Sequence, residues 1–189
     1  MSLSATRNVD TGFTQRLVSG LVGLQIWQGF QGPGRSYPDD MAQVTGEIRI
    51  AAPLERVFDT AADSRNEPSF NPAMTGVELL TPEPVGLGTR FLAHMGKSKM
   101  DMLVELTEFD RPHRLSSLTE SSMMETYGTL TFTSESEATV MAWDWEVRPK
   151  GWFRLLGPMV GPLGRRMERK IWSGLKEKLE TGLASADEN

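Results

Sequence analysis

From Ala42 onward the apolar positions fall into short, regular rows. Val44, Ile48 and Ile50 sit at even offsets, the spacing of a half-buried strand. Pro53 stands where a first helical turn tolerates proline, and Leu54, Val57 and Phe58 recur at helical spacing. Asp63-Ser64 and Asn66-Glu67-Pro68 stop that helix and predict a bend. Six further strands follow: Met74 to Leu80, Thr89 to Met95, Met100 to Phe109, Arg114 to Ser121, Glu125 to Ser134 and Thr139 to Val147. The turn-like segments Thr-Pro-Glu-Pro, Gly-Lys-Ser, Asp-Arg-Pro and Ser-Glu-Ser between them predict an antiparallel meander.

After Pro149 the period changes. Trp152, Phe153, Leu156, Met159 and Val160, then Leu163, Met167, Ile171, Leu175 and Leu179, are expected to line one helical face. Gly157-Pro158 and Gly161-Pro162 break or kink its start. Arg165, Arg166, Glu168, Arg169, Lys170, Lys176 and Glu177 are expected on the solvent side. The order of elements predicts an α+β fold in which a curved antiparallel sheet of about seven strands wraps around one long C-terminal helix. One helix does not fill such a concavity, so ligand space between sheet and helix is a consequence of the architecture.

Residues 1–41 read as an N-terminal arm and linker, residues 42–182 as the folded domain and 183–189 as a C-terminal tail. The arm pairs an amphipathic Phe13, Leu17, Val18, Leu21 pattern with a Gly/Gln/Pro/Asp segment from Gln28 to Asp40. It suits a docking helix or lid, a mobile tail, or residues upstream of a start at Met41.

Composition narrows the function classes. The chain of 189 residues, 39% hydrophobic and 24% charged, has the makeup of an ordinary globular domain. It has no cysteine, which rules out a disulfide framework, a thiolate metal site and a cysteine nucleophile, and makes the cytoplasm the expected compartment. A formal net charge of -5 gives no electrostatic reason to expect nucleic acid as a partner. No stretch approaches the roughly 18 to 20 apolar residues of a membrane-spanning helix. Leu17 to Trp27 lacks the cleavage pattern of a signal peptide.

The whole domain resembles the SRPBCC superfamily of START-like, helix-grip proteins, and within it the polyketide-cyclase/dehydrase-like group. The residues that carry the resemblance are Ile48-Arg-Ile-Ala-Ala-Pro-Leu-Glu-Arg-Val-Phe-Asp59, Asp63, Asn71-Pro72, Val85-Gly-Leu-Gly-Thr89, Glu105-Leu-Thr-Glu-Phe-Asp-Arg-Pro-His-Arg-Leu115 and Gly174-Leu-Lys-Glu-Lys-Leu-Glu180. The likeness spans about 42 to 182. It implies a helix-grip fold and a pocket shared by lipid carriers, hormone receptors, aromatase/cyclases and oxygenase catalytic domains. Fold alone does not choose among these.

Candidate chemistry starts with Met141-Ala-Trp-Asp-Trp-Glu-Val147, where alternation puts Met141, Trp143, Trp145 and Val147 on one face and Asp144 and Glu146 on the other. The two indoles suit an apolar or aromatic ligand, or equally ordinary packing against the terminal helix. Eleven methionines offer either an adaptable wall or irregular core filling. Only two histidines are present. His113 lies in the Arg-Pro-His-Arg turn, and His94 shares parity with Arg90 and Leu92 against Phe91, Ala93 and Met95, so alternation leaves its face open. No metal-ligand spacing, nucleophile elbow, Walker loop or dinucleotide fingerprint occurs, so no metal or other cofactor is expected. Arg165, Arg166, Arg169 and Lys170 read as a solvated helix face, or else as a cluster for anionic lipid headgroups.

Two functions from different classes follow. The first is binding or transport of a hydrophobic, lipid-like or aromatic small molecule. Its wall candidates are Phe91, Met102, Leu130, Phe132, Met141, Trp143, Trp145, Leu156, Val160, Met167 and Ile171. The second is a cyclase- or dehydratase-like enzyme using the same pocket, with His94, Glu105, Tyr127 or Asp144 as proton-transfer candidates. An interaction role, in which the arm docks on a partner or on a second copy to form a homodimer, is the third expectation.

Overall fold

The computed structural model describes residues 41–96, 100–151 and 157–187, with side chains described except at 157–161 and 183–187. The proposed arm, Met41 aside, lies outside the described residues. The elements are β1 (Ala42–Ile50), α1 (Leu54–Ala62), a 3₁₀ helix (Ser64–Ser69), β2 (Met74–Leu79), β3 (Arg90–Met95), β4 (Met100–Asp110), β5 (Arg114–Glu120), β6 (Met124–Glu135), β7 (Ala138–Pro149) and α2 (Gly157–Asp187). The expected strands are all present. Pro53 sits one position earlier than expected, at the N-cap of α1. The predicted bend is the 3₁₀ helix, capped by Asp63, whose carboxylate accepts from the Arg65 backbone N–H at 3.1 Å.

The strands form one antiparallel, curved sheet in the order β1-β7-β6-β5-β4-β3-β2. β2 through β7 are a meander, and β1 joins β7 at the far edge, with Ala42 opposite Val147 and Ile50 opposite Thr139. The single long connection is α1 with the 3₁₀ helix, which carries the chain from one edge strand to the other. This is the helix-grip fold.

Register settles which side of each strand is dry, because residues directly opposite one another share a face. Phe91 and Ala93 on β3 oppose Val104 and Met102 on β4. Gly128, Leu130 and Phe132 on β6 oppose Trp145, Trp143 and Met141 on β7. These residues face α2. The core joins Ile50, Phe58, Phe91, Leu106, Leu115, Leu130, Phe132, Met141 and Trp143 to Trp172, Leu175 and Leu179 of α2. Each such side chain contributes roughly 1.5–3 kcal/mol on burial. Phe58 packs edge-on against Phe109 and Phe132, with centroids 5.3 and 5.2 Å apart.

Polar contacts fix α2 along the end of β1. Lys176 Nζ donates to the Arg49 carbonyl at 2.7 Å, and Glu180 accepts from the Ala51 N–H at 2.8 Å. Both reach backbone groups that the sheet leaves unpaired where β1 ends.

The apolar face of α2 differs from the expected one. Leu163 and Met167 are 58% and 49% exposed, while Trp172, Leu175 and Leu179 are buried. The reason is geometric. Positions 163, 167, 171, 175 and 179 step by four, and each step overshoots a full turn by about 40°. Over four steps the row winds most of the way to the opposite side. The sheet-facing row is instead Gly164, Glu168, Trp172, Leu175 and Leu179, whose spacing averages close to the helical period. Glu168 therefore sits among the sheet-facing residues and not, as expected, on the solvent side.

Candidate functional site

β7 and its two neighbours build a tryptophan floor. Trp143 is opposite Gly46 of β1, and Trp145 is opposite Gly128 of β6. Each indole lies over its glycine so closely that a Cβ at Gly46 would overlap the ring of Trp143, and one at Gly128 the ring of Trp145. Glycine on the neighbouring strand thus provides the room for a flat-lying indole on a sheet whose inner face is otherwise crowded. From above, Trp172 of α2 stacks at a tilt on Trp143, centroids 6.2 Å apart, and on Phe70 at 6.3 Å.

The polarity of this cluster is out of keeping with its burial. Trp143 and Trp172 are 3% and 7% exposed, and Trp145 is partly buried. Among the described residues, the buried Nε1 atoms of all three have no hydrogen-bond partner. An unmade buried hydrogen bond costs about 1–3 kcal/mol, so three together call for an explanation.

A carboxyl lies beside the indole N–H groups of Trp145 and Trp172. Burial pushes the Glu168 carboxyl from its usual 4.5 up to about 7, and the nearby Glu67 carboxylate pushes in the same direction. The indole N–H groups of Trp145 and Trp172 are close enough to favour the charged form, though neither completes a hydrogen bond in distance and angle. Glu67 belongs to the 3₁₀ helix. Burial raises its pKa as well, opposed by a hydrogen bond from Asn71 Nδ2 at 2.8 Å. Asn71 is itself buried, and its Oδ1 accepts from the Ala73 N–H at 3.1 Å, which fixes the amide that orients Glu67.

The arrangement is an apolar wall with a donor-rich polar end. The indole N–H groups of Trp145 and Trp172 lie by a carboxyl that is about half protonated near neutral pH, and each of these groups can donate to an acceptor oxygen. Two open hollows lie elsewhere. One of about 320 Å³ is lined by residues that include Ser69, Phe70, Glu177 and Lys178, and one of about 310 Å³ by Pro162, Arg165, Arg166 and Arg169. Neither is lined by the tryptophans.

The sequence-derived candidates divide by face. Phe91, Leu130, Phe132, Met141 and Trp143 are buried in the core, and Trp145 and Ile171 pack against it. Met102 is partly buried on the inner face, opposite Ala93. Met167 points to solvent. Leu156 and the side chain of Val160 lie outside the described residues.

The four proton-transfer candidates share the outer, convex face. His94 pairs across strands with Asp101, Nδ1 to Oδ1 at 2.8 Å, and with Glu78 at 3.3 Å; the Asp101 bond, then the Glu78 one, raise its pKa. Glu105 accepts from Arg90 Nε at 2.8 Å, and Asp144 from Gln43 Nε2 at 3.0 Å. Tyr127 opposes Glu146, and burial first, then Glu125, raises its pKa. His113 is exposed in the β4–β5 turn.

Pattern reading missed Glu168, Glu67, Trp172 and Asn71. For Glu168 and Trp172 a usable signal existed in the steps of four, four, three and four residues from Gly164 to Leu179. For Glu67 and Asn71 there was none, because both sit in a connection.

A family model for polyketide cyclase / dehydrase and lipid transport proteins matches residues 41–180. No curated protein matches the sequence. Among solved structures, a protein from Thermus thermophilus is 24% identical with a TM-score of 0.64, covering 74% of this chain and 98% of its own. A START superfamily protein from Mycobacterium smegmatis, 15% identical, has a TM-score of 0.64 over 74% of this chain and 97% of its own. The Zhui aromatase/cyclase from Streptomyces sp. R1128, 14% identical, also has a TM-score of 0.64, over 74% and 94%. At these identities the neighbours share the fold, while the family match spans most of the sequence, and the chain therefore belongs to the polyketide cyclase / dehydrase and lipid transport family.

Proposed function

We propose that the protein binds a hydrophobic, aromatic or lipid-like small molecule between the concave sheet and α2, with an acceptor oxygen of the ligand at the tryptophan and Glu168 end. The observation that carries this reading is the set of three buried indole N–H groups that have no hydrogen-bond partner among the described residues, two of which, those of Trp145 and Trp172, lie by a carboxyl whose pKa is raised to about 7. A carbonyl or phenolic oxygen there would accept the unmade hydrogen bonds, and the aromatic walls would cover the rest of the ligand. Trp145 is the least buried of the three, so the ligand enters by displacing its ring.

Tryptophan fluorescence titrated with 2-acetylnaphthalene and with naphthalene tests the reading. Both probes offer the same rings, and only one offers a carbonyl. Saturable quenching that is at least about tenfold tighter for 2-acetylnaphthalene, the worth of one good hydrogen bond, supports it. Equal affinities remove the role of the polar end, and no saturable quenching by either probe removes the binding site.

One observation supports a catalytic version, a cyclase- or dehydratase-like enzyme. A carboxyl poised near neutral pH suits general acid–base chemistry. In that version Glu168 protonates the hydroxyl, which leaves as water as its C–O bond breaks, and the resulting carboxylate takes the proton from the adjacent carbon as the C=C bond forms, which regenerates the acid. A Glu168→Gln variant that still binds 2-acetylnaphthalene but no longer turns over a polyketide-like substrate separates the two.

A further inference from the structure

The solvent side of the first half of α2 has the makeup of an interface. Leu163, Arg166, Met167 and Lys170 follow the i, i+3, i+4, i+7 spacing of one helical stripe, and all four are exposed. Arg165 and Arg169 flank it, and with Pro162 and Arg166 they line the open hollow of about 310 Å³.

The charges here are unlike most of those elsewhere. Arg49, Arg65, Arg90, Arg111, Arg114 and Arg148 are each ion-paired to a carboxylate. Among the described residues, Arg165, Arg166, Arg169 and Lys170 pair with no carboxylate. A chain of net charge -5 thus gathers, over residues 163–170, four cations that pair with no described carboxylate and two of its large exposed apolar side chains, while Glu168 of the same segment lies on the sheet side.

We propose that this face of α2 docks on an anionic phospholipid surface, with the cations at the headgroup phosphates and Leu163 and Met167 inserted at the acyl boundary. Charge complementarity selects a polyanionic partner. The two apolar side chains select a bilayer over nucleic acid or an acidic protein tail, because neither of those takes up Leu163 and Met167 between its charges. The docking concerns the side of the helix away from the sheet and is independent of what the tryptophan site holds.

The test is co-sedimentation of the full chain with vesicles of pure phosphatidylcholine and with vesicles containing about a third phosphatidylserine. The expected result is binding to the second alone, weakened by salt. Arg166→Gln with Arg169→Gln lowers the partition coefficient by roughly 25-fold, about fivefold for each cation removed. Leu163→Ser with Met167→Ser removes the fraction of binding that survives high salt. None of these side chains is buried, so an unchanged melting temperature shows that each variant still folds. Equal binding to both vesicle types, no binding to either, or indifference to both double variants would overturn the proposal. So would heparin capture that matches vesicle binding and ignores the Leu163/Met167 change, which would make the face a general polyanion surface.

Discussion

The indole of Trp172 on α2 lies 6.2 Å from that of Trp143 on β7, centroid to centroid, with the planes 39° apart. This pair joins the helix to the sheet at the place where polar atoms are buried, so packing and site share the same residues. Replacing Trp172 with Ala removes the helix half of the contact and is expected to cost about 3–5 kcal/mol. Trp172→Phe keeps the stacking, loses an unpaired N–H, and is expected to cost far less. Urea midpoints for the two variants check this, and equal losses would mean that the indole N–H has a partner after all.

Gly128 supports Trp145 by having no side chain. Gly128→Ala forces the ring aside, at an expected cost of about 1–3 kcal/mol and with a shift of the tryptophan emission. Adding Trp145→Ala removes the clash, so the double variant is expected to lose less than the sum of the two single losses. A coupling energy near zero in that cycle would place the ring elsewhere.

Glu168 makes stability depend on pH. Its carboxyl titrates near the ordinary 4.5 when unfolded and near about 7 when folded, so the folded chain holds the proton more tightly. The resulting stability is fully present below the lower value and is lost as pH rises through the higher one, an effect of at most about 3 kcal/mol. Glu168→Gln is expected to be more stable than the wild type above about pH 8 and to flatten the profile below it. A residual slope of the same sign belongs to Glu67, whose carboxyl is also raised by burial. Parallel profiles for wild type and variant would show that Glu168 is solvated.

The outer-face residues provide the control. His94→Ala, Glu105→Gln and Asp144→Asn alter cross-strand contacts on the convex side. They are expected to leave 2-acetylnaphthalene affinity within about twofold of the wild type, since exposed pairs of this kind contribute under about 1 kcal/mol. A larger loss for any of them would bring the convex face into the site.

Much of the fold was legible because its signals are local. Even spacing in β1, turn residues between the strands and the change of period after Pro149 each act over a few neighbouring residues, and the elements they predicted are present. Alternation also grouped Trp143 with Trp145 and separated them from Asp144 correctly. It left the inward face of β3 open, because a two-residue period is symmetric until a partner strand breaks the symmetry. Pairing with β4 did that, sending Phe91 inward and His94 outward.

The candidate site belongs to the other category. Glu67 comes from a connection, Trp143 and Trp145 from a strand, and Glu168 and Trp172 from a helix, and no spacing in the chain links the three segments. The raised pKa of Glu168 has no sequence signal either, since it arises from burial and from a second carboxyl about a hundred residues away. The sequence by itself determined the elements and the family, through periodicity and short motifs. Only the tertiary structure decided which faces meet, because burial, the distance between charges and unmade hydrogen bonds exist only once the sheet has closed on the helix.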